Sequence, residues 1–340
     1  MKIKLLAALA ALGMSGNALA AFDCAFAEPP NHQPQVLMTE SKTIRLVAGQ
    51  ATSNKTPLEK LIAPAMSIFP LKIVCQNTDH VNGSRPLNMA GLEEYPGNPG
   101  FYKTNIDGIG VQFMASPTSG NGGDVLPRAE YLWGSAPGTS PFVAILNPST
   151  FTASFYKLGK VDLSKGGKYP DTLLLMSARD VGESRIEAVT YVKYYMNNVS
   201  IVGVPVCKVD RPAVIDFNTV GAEAVRNGVS RNLDFGVTCD TDYGSYNVTA
   251  TIDAAERTSD NKFIKVKDSK GDNNSLIIEI SDSNNNKITV DGNTPKDISN
   301  VPGGQKAAFK WKALLKKQDG VPYPAQGPFN AAAIVTLNIH

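Results

Sequence analysis

The sequence predicts an all-β protein made of two β-sandwich domains. Apolar and polar side chains alternate along several short segments, which is typical of strands that bury one face. The 29 glycines and 22 prolines can supply the turns between such strands. A length of 340 residues is sufficient for two ordinary domains.

The clearest strand patterns lie in four segments, each with one apolar row. These rows are Leu71, Ile73 and Cys75; Leu233, Phe235, Val237 and Cys239; Tyr246, Val248, Ala250 and Ile252; and Ala307, Phe309, Trp311 and Ala313. A longer strand-like run extends from Ile186 to Ile201. Helix signals are few: a short turn is predicted from Thr56 to Ile62, and another over residues 220–226.

The first twenty residues predict a secretory signal peptide. Lys2 and Lys4 give a positive start and residues 5–14 are apolar. Ala18 and Ala20 then supply the small side chains for cleavage after Ala20 or one residue later. The apolar run is too short to span a bilayer. We therefore expect an exported protein.

Four cysteines follow the signal, at Cys24, Cys75, Cys207 and Cys239. An even number in an exported chain predicts disulfide bonds, and four cysteines allow three pairings. Since they form an early and a late pair, the economical pairing is Cys24–Cys75 and Cys207–Cys239, each bond contributing about 4 kcal/mol. A zinc site is the alternative, which the lack of a CxxC motif disfavours.

The domain boundary is expected just before Cys207. A Gly-Val-Pro sequence at 203–205 interrupts the strand-like run, which predicts a linker near residues 202–206. The expected organisation is a signal peptide (1–20), an N-terminal domain (21–202) and a C-terminal domain (203–340).

Motifs for catalysis, metals and cofactors are missing from the sequence. The histidines His32, His80 and His340 have no metal-ligand spacing, and no GxSxG, GxxxxGK or complete dinucleotide loop occurs. A formal net charge of +2 gives no reason to expect nucleic acid. We expect a binding protein without enzymatic activity, cofactor or metal. A glycosidase pair among the scattered carboxylates is the remaining enzymatic alternative.

The end of the chain predicts an apolar strand that runs to the last residue. Its apolar row is Phe329, Ala331, Ala333, Val335, Leu337 and Ile339, and the opposite row contains Asn330, Thr336 and Asn338. A terminal apolar strand is an aggregation hazard if its edge is open. It should therefore be a central strand, or a partner strand should cover it.

Residues 203–340 resemble the pilin domains of chaperone–usher fimbriae. The terminal alternating strand, Gly327 at the fourteenth position from the end, and the paired Cys207 and Cys239 carry the resemblance, whereas Ile339 stands where the family usually has an aromatic residue. The resemblance implies an incomplete immunoglobulin-like fold with a hydrophobic groove. It also implies that a strand from a periplasmic chaperone would fill that groove first and that a donor strand from the next pilus subunit would replace it.

The resemblance also implies site residues, partners and a location. The groove residues would be Gly327, Phe329, Ala331, Ala333, Val335, Leu337, Ile339 and His340, with the chaperone holding the carboxylate of His340. An outer-membrane usher would be a further partner. Because Cys24 follows the signal closely and a whole domain precedes the pilin-like part, the chain would have no donor strand to give. We therefore expect it at the fimbrial tip, on the cell surface.

The N-terminal half has two short similarities to fimbrial adhesins. Phe22-Asp23-Cys24 is similar to the start of mannose-binding type 1 pilus adhesins, and residues 102–113 contain a T-N-x-x-G-I-G element similar to one in fimbrial adhesins and minor pilins. A turn that leads into a strand explains this element equally well. We expect an elongated lectin-like sandwich that binds a host receptor, a glycan. Its candidate ligand residues are Asp79, Asn82, Tyr95, Tyr131 and Trp133.

Two alternatives to an adhesin remain. One is a minor structural or adaptor pilin that has no host ligand. The other is a eukaryotic secreted glycoprotein, which Asn-x-Ser/Thr sequences at Asn82 and Asn247 would suggest. The terminal apolar strand argues against the second.

Overall fold

The computed structural model describes residues 22–28, 30, 32–63, 71–117, 123–133, 140–146, 149–164, 172–210 and 214–340. For residues 116, 117, 130–133 and 149 it describes the backbone only. The predicted signal peptide, residues 1–20, lies outside the described residues.

The described chain is almost entirely β-strand, which confirms the predicted all-β class. The strands of the N-terminal part are β1 Cys24–Glu28, β2 Gln35–Met38, β3 Lys42–Val47, β4 Glu59–Ala63, β5 Leu71–Cys75, β6 His80–Arg85, β7 Tyr102–Lys103, β8 Ile109–Pro117, β9 Asp124–Val125, β10 Arg128–Trp133, β11 Phe142–Leu146, β12 Ser149–Lys157, β13 Thr172–Met176, β14 Arg179–Ile186, β15 Val189–Met196 and β16 Val199–Val204. The C-terminal part contains β17 Val206–Val209, helix α1 Ala222–Asn227, β18 Val229–Asp240, β19 Ser245–Asp253, β20 Phe263–Val266, β21 Leu276–Ser281, β22 Lys287–Ile288, β23 Lys296–Pro302, β24 Lys306–Lys317 and β25 Ile334–Ile339.

Stacked aromatic rings join the two largest sheets of the N-terminal part. One sheet has the order β10-β6-β14-β15-β2 and the other β4-β12-β8-β7. Tyr194 on β15 stacks on Phe151 on β12 with ring centroids 5.0 Å apart, and Phe151 stacks on Phe113 on β8 at 6.0 Å. All three residues are fully buried. Burial raises the pKa of the Tyr194 phenol to about 12, and its hydroxyl is hydrogen-bonded to Ser184.

The C-terminal part is a second sandwich with its own aromatic core. Its larger sheet has the order β17-β18-β24-β21-β20, with β22 paired to β21, and the smaller has the order β23-β19-β25. Phe235, Phe309 and Trp311 pack together on the larger sheet. The buried hydroxyl of Tyr246, on β19, donates a hydrogen bond to the carbonyl oxygen of Val237 on β18 at 2.9 Å, which links the two sheets.

The predicted strand rows and the observed strands agree in most places. The four apolar rows are confirmed as the buried rows of β5, β18, β19 and β24, and the turn predicted at 220–226 corresponds to α1. The helical turn predicted from Thr56 to Ile62 is wrong, because β4 pairs with β12 there. The run from Ile186 to Ile201 is three strands, since the chain turns at residues 187–188 and 197–198.

Each part contains one disulfide bond between neighbouring antiparallel strands. Cys24 on β1 is bonded to Cys75 on β5, and Cys207 on β17 is bonded to Cys239 on β18. Between the two parts, β16 ends at residue 204 and β17 begins at residue 206. Most of the expected linker, residues 202–206, is therefore strand, with Pro205 as the break.

A buried aspartate anchors the loop that leads to the terminal strand. Oδ2 of Asp268 accepts a hydrogen bond from the backbone N–H of Ala325 at 2.8 Å, and Oδ1 accepts from the N–H groups of Lys270 and Asp272. These hydrogen bonds, the one from Ala325 foremost, hold the pKa of the Asp268 carboxyl below its usual value. The ionised carboxylate thus ties the loop before β25 to the turn between β20 and β21.

Removing the Phe151 ring should destabilise the N-terminal sandwich, because the ring is buried between two other aromatic rings. We expect Phe151→Ala to lower the free energy of unfolding by about 3–5 kcal/mol. Hydrogen exchange of peptides covering β8 and β12 in the full chain measures this loss locally. Ile62→Ala is the control, because Ile62 lies on a neighbouring strand and is 56% exposed, and it should change little. Equal protection in the two variants would contradict this account of the core.

Replacing Asp268 should make the protein less stable at neutral pH and less sensitive to acid. A carboxyl whose pKa is lowered by folding contributes stability above its unfolded pKa of about 3.9 and loses it as the pH falls through the folded pKa. Asp268→Asn should therefore lower the melting temperature at pH 7, and the difference from wild type should shrink as the pH falls below about 4. Asp319→Asn, in the exposed turn after β24, is the control. A difference that stays constant with pH would rule out the anchoring role.

Candidate strand-binding groove

An apolar groove of about 790 Å³ lies on the C-terminal sandwich. It is bordered by the end of β17 on the larger sheet and by β25 on the smaller sheet. Its floor consists of large apolar side chains from both sheets. These include Leu233, Phe235, Ile252, Ile264, Ile278 and Ile280.

The backbone of β25 is paired along one edge only. In the described chain β25 is the last strand of its sheet and pairs with β19. Asn247 and His340 exchange both backbone hydrogen bonds, at 2.7 and 3.1 Å. Hydrogen-bonded and non-hydrogen-bonded pairs alternate along an antiparallel ladder. The N–H and C=O groups of Val335, Leu337 and Ile339 therefore point away from β19, towards the open edge.

The side chains of the same three residues face the apolar core but are only half-buried. Val335, Leu337 and Ile339 pack against the core, whereas Thr336 and Asn338 are exposed. Val335 and Leu337 also line the groove. One row of β25 thus presents both its backbone groups and its apolar side chains to a space that no described strand fills.

The terminal strand is shorter than predicted. The apolar row was expected to run as one strand from Phe329 to Ile339, but β25 begins at Ile334. Asn330 forms an isolated bridge to Lys267, with N–O distances of 2.9 and 3.0 Å, which diverts the chain before β25. Phe329 packs half-buried against the core, while Ala331 and Ala333 are exposed at the groove.

Gly327 has a conformation and a contact that require glycine. Its φ is +131°, which L side chains rarely adopt, and an added Cβ would lie 2.7 Å from Cβ of Ser269. The hydroxyl of Ser269 donates a hydrogen bond to the carbonyl oxygen of Gln326 at 2.8 Å. Any other residue at 327 would therefore displace the segment that leads into the groove wall.

The opposite border of the groove was not predicted. Val209 and Val214, which are 55% and 93% exposed, line it, and the half-buried Ile215 and buried Phe217 continue this border. The apolar residues in Val206–Val209 were a sequence signal for it. Their position across from β25 depends on pairing with β18, which is distant in sequence from β25.

The structure brings four of the five candidate ligand residues to one strand pair. In the β10–β6 ladder, Tyr131 is opposite Asn82 and Trp133 is opposite His80, next to Asp79. An Asp79 oxygen lies 2.7 Å from Nδ1 of His80. The Asn82 side chain and backbone N–H both donate to Glu187, at 3.2 and 2.6 Å.

Tyr95, the fifth candidate, lies apart from this pair of strands. Its backbone N–H donates to the carbonyl oxygen of Phe101 at 2.7 Å. Its ring lies against Gly110 and its hydroxyl near Gly159. The contacts of Tyr95 are therefore with the β8 end of the other large sheet.

The described residues contain no group of three or more His, Cys, Asp or Glu side chains placed to hold a metal ion. The helical residues in the described part also form no stretch long and apolar enough to cross a membrane.

Comparisons with known proteins give a family for the C-terminal part. Residues 198–340 match the family model described as "Fimbrial protein". A search of curated proteins found no match.

Similar solved structures include pilus adhesins. The receptor-binding domain of the adhesin MrkD1P of Klebsiella pneumoniae aligns at 16% identity, over 53% of this chain and 95% of that chain, with a TM-score of 0.37. The CupB6 tip adhesin from Pseudomonas aeruginosa aligns at 14% identity, over 93% and 94% of the two chains, with a TM-score of 0.34. The CsuC–CsuE chaperone–tip subunit complex of Acinetobacter baumannii aligns at 11% identity, over 92% of this chain and 99% of that chain, with a TM-score of 0.37.

These identities and TM-scores are low, so the assignment depends on the family model and on the geometry of the groove. The matched residues include β17 to β25, both borders of the groove and the disulfide between Cys207 and Cys239. The comparisons thus identify a fimbrial protein domain at the C-terminus of this chain, over residues 198–340.

Proposed function

We propose that this chain is a chaperone–usher pilus subunit that accepts a donor strand in the groove between β17 and β25, and that its N-terminal sandwich binds a host receptor at the fimbrial tip. The open edge of β25 is the observation that carries the first part. A strand laid along it would pair with the backbone groups of Val335, Leu337 and Ile339.

The apolar lining of the groove supports the same occupant. Exposed apolar surface and unpaired backbone groups are both unfavourable in water. An alternating donor strand would place every second side chain on the apolar floor. Each large side chain that it buries would contribute roughly 1.5–3 kcal/mol before the entropy of ordering is subtracted. A periplasmic chaperone strand would occupy the groove first, and the next subunit would replace it at the usher.

The position of β1 supports placement at the tip. A subunit inside a fibre needs a free N-terminal strand to give to its neighbour. Here residues 24–28 are a strand of the N-terminal sandwich, paired with β5 and fixed by the Cys24–Cys75 bond. The described N-terminal strand is therefore committed to its own fold, and a receptor-binding sandwich would occupy the distal end of the fibre.

The receptor class that we propose is a host glycan, and a binding experiment distinguishes an adhesin from an adaptor. The full chain, purified from the periplasm with its strand partner, should bind host cells saturably. Treating the cells with glycosidases should remove that binding if the receptor is a glycan. Saturable binding that resists the treatment would exclude a glycan receptor. Absence of cell binding would favour the adaptor alternative.

A charge on the inner row of β25 should prevent assembly. Leu337→Asp would place an unpaired carboxylate on the groove wall, where neither water nor a cation compensates it once the donor strand is in place. We expect the periplasmic amount of the variant to fall by about tenfold or more, because the unprotected fold is degraded. Immunoblots of periplasmic extracts and of isolated pili measure both steps, and Val335→Asp should behave in the same way.

Asn338→Asp is the matched control, since it adds the same charge to the same strand on the exposed row. Its accumulation and its incorporation into pili should stay close to wild type. If Leu337→Asp entered pili as well as Asn338→Asp, the groove would not be the site of assembly.

A further inference from the structure

A second cavity, of about 500 Å³, lies in the N-terminal part and is lined mainly by polar side chains. Its lining comes from three segments that are distant in sequence: residues 88–93 after β6, residues 103–105 from the end of β7 into the turn before β8, and residues 176–180 from the end of β13 to the start of β14. The volume is within the range of about 300–1,000 Å³ typical of small-molecule sites. None of the five candidate ligand residues lines it.

Arg179 holds the first wall in place. Its guanidinium donates to the carbonyl oxygens of Asn88, Ala90 and Gly91, at 3.1, 2.5 and 3.3 Å. The N–H of Asn88 also donates to the carbonyl oxygen of Val181 on β14 at 2.7 Å. The loop that follows β6 is therefore fixed to the start of β14, and the cavity does not depend on a ligand to form.

The T-N-x-x-G-I-G element forms the second wall. The hydroxyl of Thr104 bonds to the carbonyl oxygens of Ile106 and Ile109, at 3.1 and 2.9 Å, so the element is the turn that leads into β8. The N–H of Asn105 donates to the carbonyl oxygen of Leu175 on β13 at 3.1 Å. Gly108, with a φ of +85°, allows this turn, since an added Cβ would lie 2.2 Å from the carbonyl oxygen of Lys160.

The charges of the cavity favour a neutral ligand. The guanidinium of Arg179 is engaged by the three carbonyl groups, and Nζ of Lys103 lies 2.6 Å from a carboxylate oxygen of Glu93. The two lining cations therefore already have acceptors, and an anionic ligand would have to displace one of them. The lining also includes Asn105, Ser177 and Asp180, whose amide, hydroxyl and carboxylate groups are suited to hydroxyl groups that both donate and accept.

We propose that this cavity is a binding site for a neutral, hydroxyl-rich ligand, namely an uncharged saccharide. The inference rests on the proposed receptor-binding function and assigns it to Asn105, Ser177 and Asp180. A rigid polar cavity discriminates strongly for ligands that replace the hydrogen bonds of its water. Such a site would lie apart from the β6–β10 strand pair.

The test uses the full chain, purified from the periplasm with its strand partner, on an array of neutral, sialylated and sulfated glycans. We expect wild type to bind neutral glycans. Ser177→Trp should weaken that binding by about tenfold or more, because Ser177 is exposed at the cavity and indole would fill it. Asp180→Asn keeps the side-chain size and should also weaken binding. Asp107→Asn is the control, because Asp107 is exposed near the same turn but does not line the cavity.

The other outcomes separate failure of the site from failure of the function. Unchanged melting temperature and pilus incorporation of Ser177→Trp would show that its loss of binding is local. Neutral-glycan binding that survives both substitutions would overturn this cavity but keep the adhesin. Binding of acidic glycans alone would overturn the uncharged ligand. If wild type bound no glycan yet bound host cells, the saccharide inference would be wrong, and if it bound neither, the adhesin function would fail with it.

Discussion

The stability of the C-terminal sandwich depends on the open edge of β25, whose backbone groups have no partner strand in the described chain. Its odd-numbered residues turn their backbone groups away from β19 and their side chains towards an apolar groove. Backbone polar groups and apolar surface are both costly when they are left to water in this way. Under the proposed function, a partner supplies the strand that completes the C-terminal sandwich, because no strand of the described chain pairs with this edge.

A disulfide bond and several hydrogen bonds hold the two borders of the groove in place. The Cys207–Cys239 bond fixes β17, which forms one border, to the neighbouring strand β18 of the larger sheet. On the other side, Asp268 holds the loop before Gly327, and Asn330 is bridged to Lys267. These contacts fix each border of the groove to the sheet or loop beside it. The N-terminal sandwich has its own stacked aromatic core around Phe151.

Much of this architecture could be predicted from period-two patterns, because one face of each strand must be buried. The rows that end in Cys75, Cys239 and Ile252 were predicted in this way. Sequence periodicity did not predict the segments whose conformation depends on pairing with strands that are distant in sequence. Nothing local shows that the strand after Leu58 pairs with β12, or that Ala331 and Ala333 stay outside β25.

The candidate sites also divide into parts that are continuous in sequence, which could be predicted, and parts assembled from distant segments, which could not. The inner row of β25 was predicted because it is continuous in sequence, whereas Val214 and the floor of the groove come from other strands. The polar cavity was not predicted at all, since Asn105, Ser177 and Asp180 meet only through the packing of β13, β14 and the turn before β8. The T-N-x-x-G-I-G element was noticed as a motif, but its sequence did not reveal that it forms a cavity wall.

Amide hydrogen exchange at single-residue resolution along β25 tests the central claim most directly. In the full chain with a strand partner bound, the amides of Val335, Leu337 and Ile339 should be as protected as those of Thr336 and Asn338. Removing the partner should speed the exchange of the Val335, Leu337 and Ile339 amides only, because the amides of Thr336 and Asn338 remain hydrogen-bonded to β19. If the first three exchanged rapidly while the partner was bound, no strand would be pairing with this edge, and the account of the groove would be wrong.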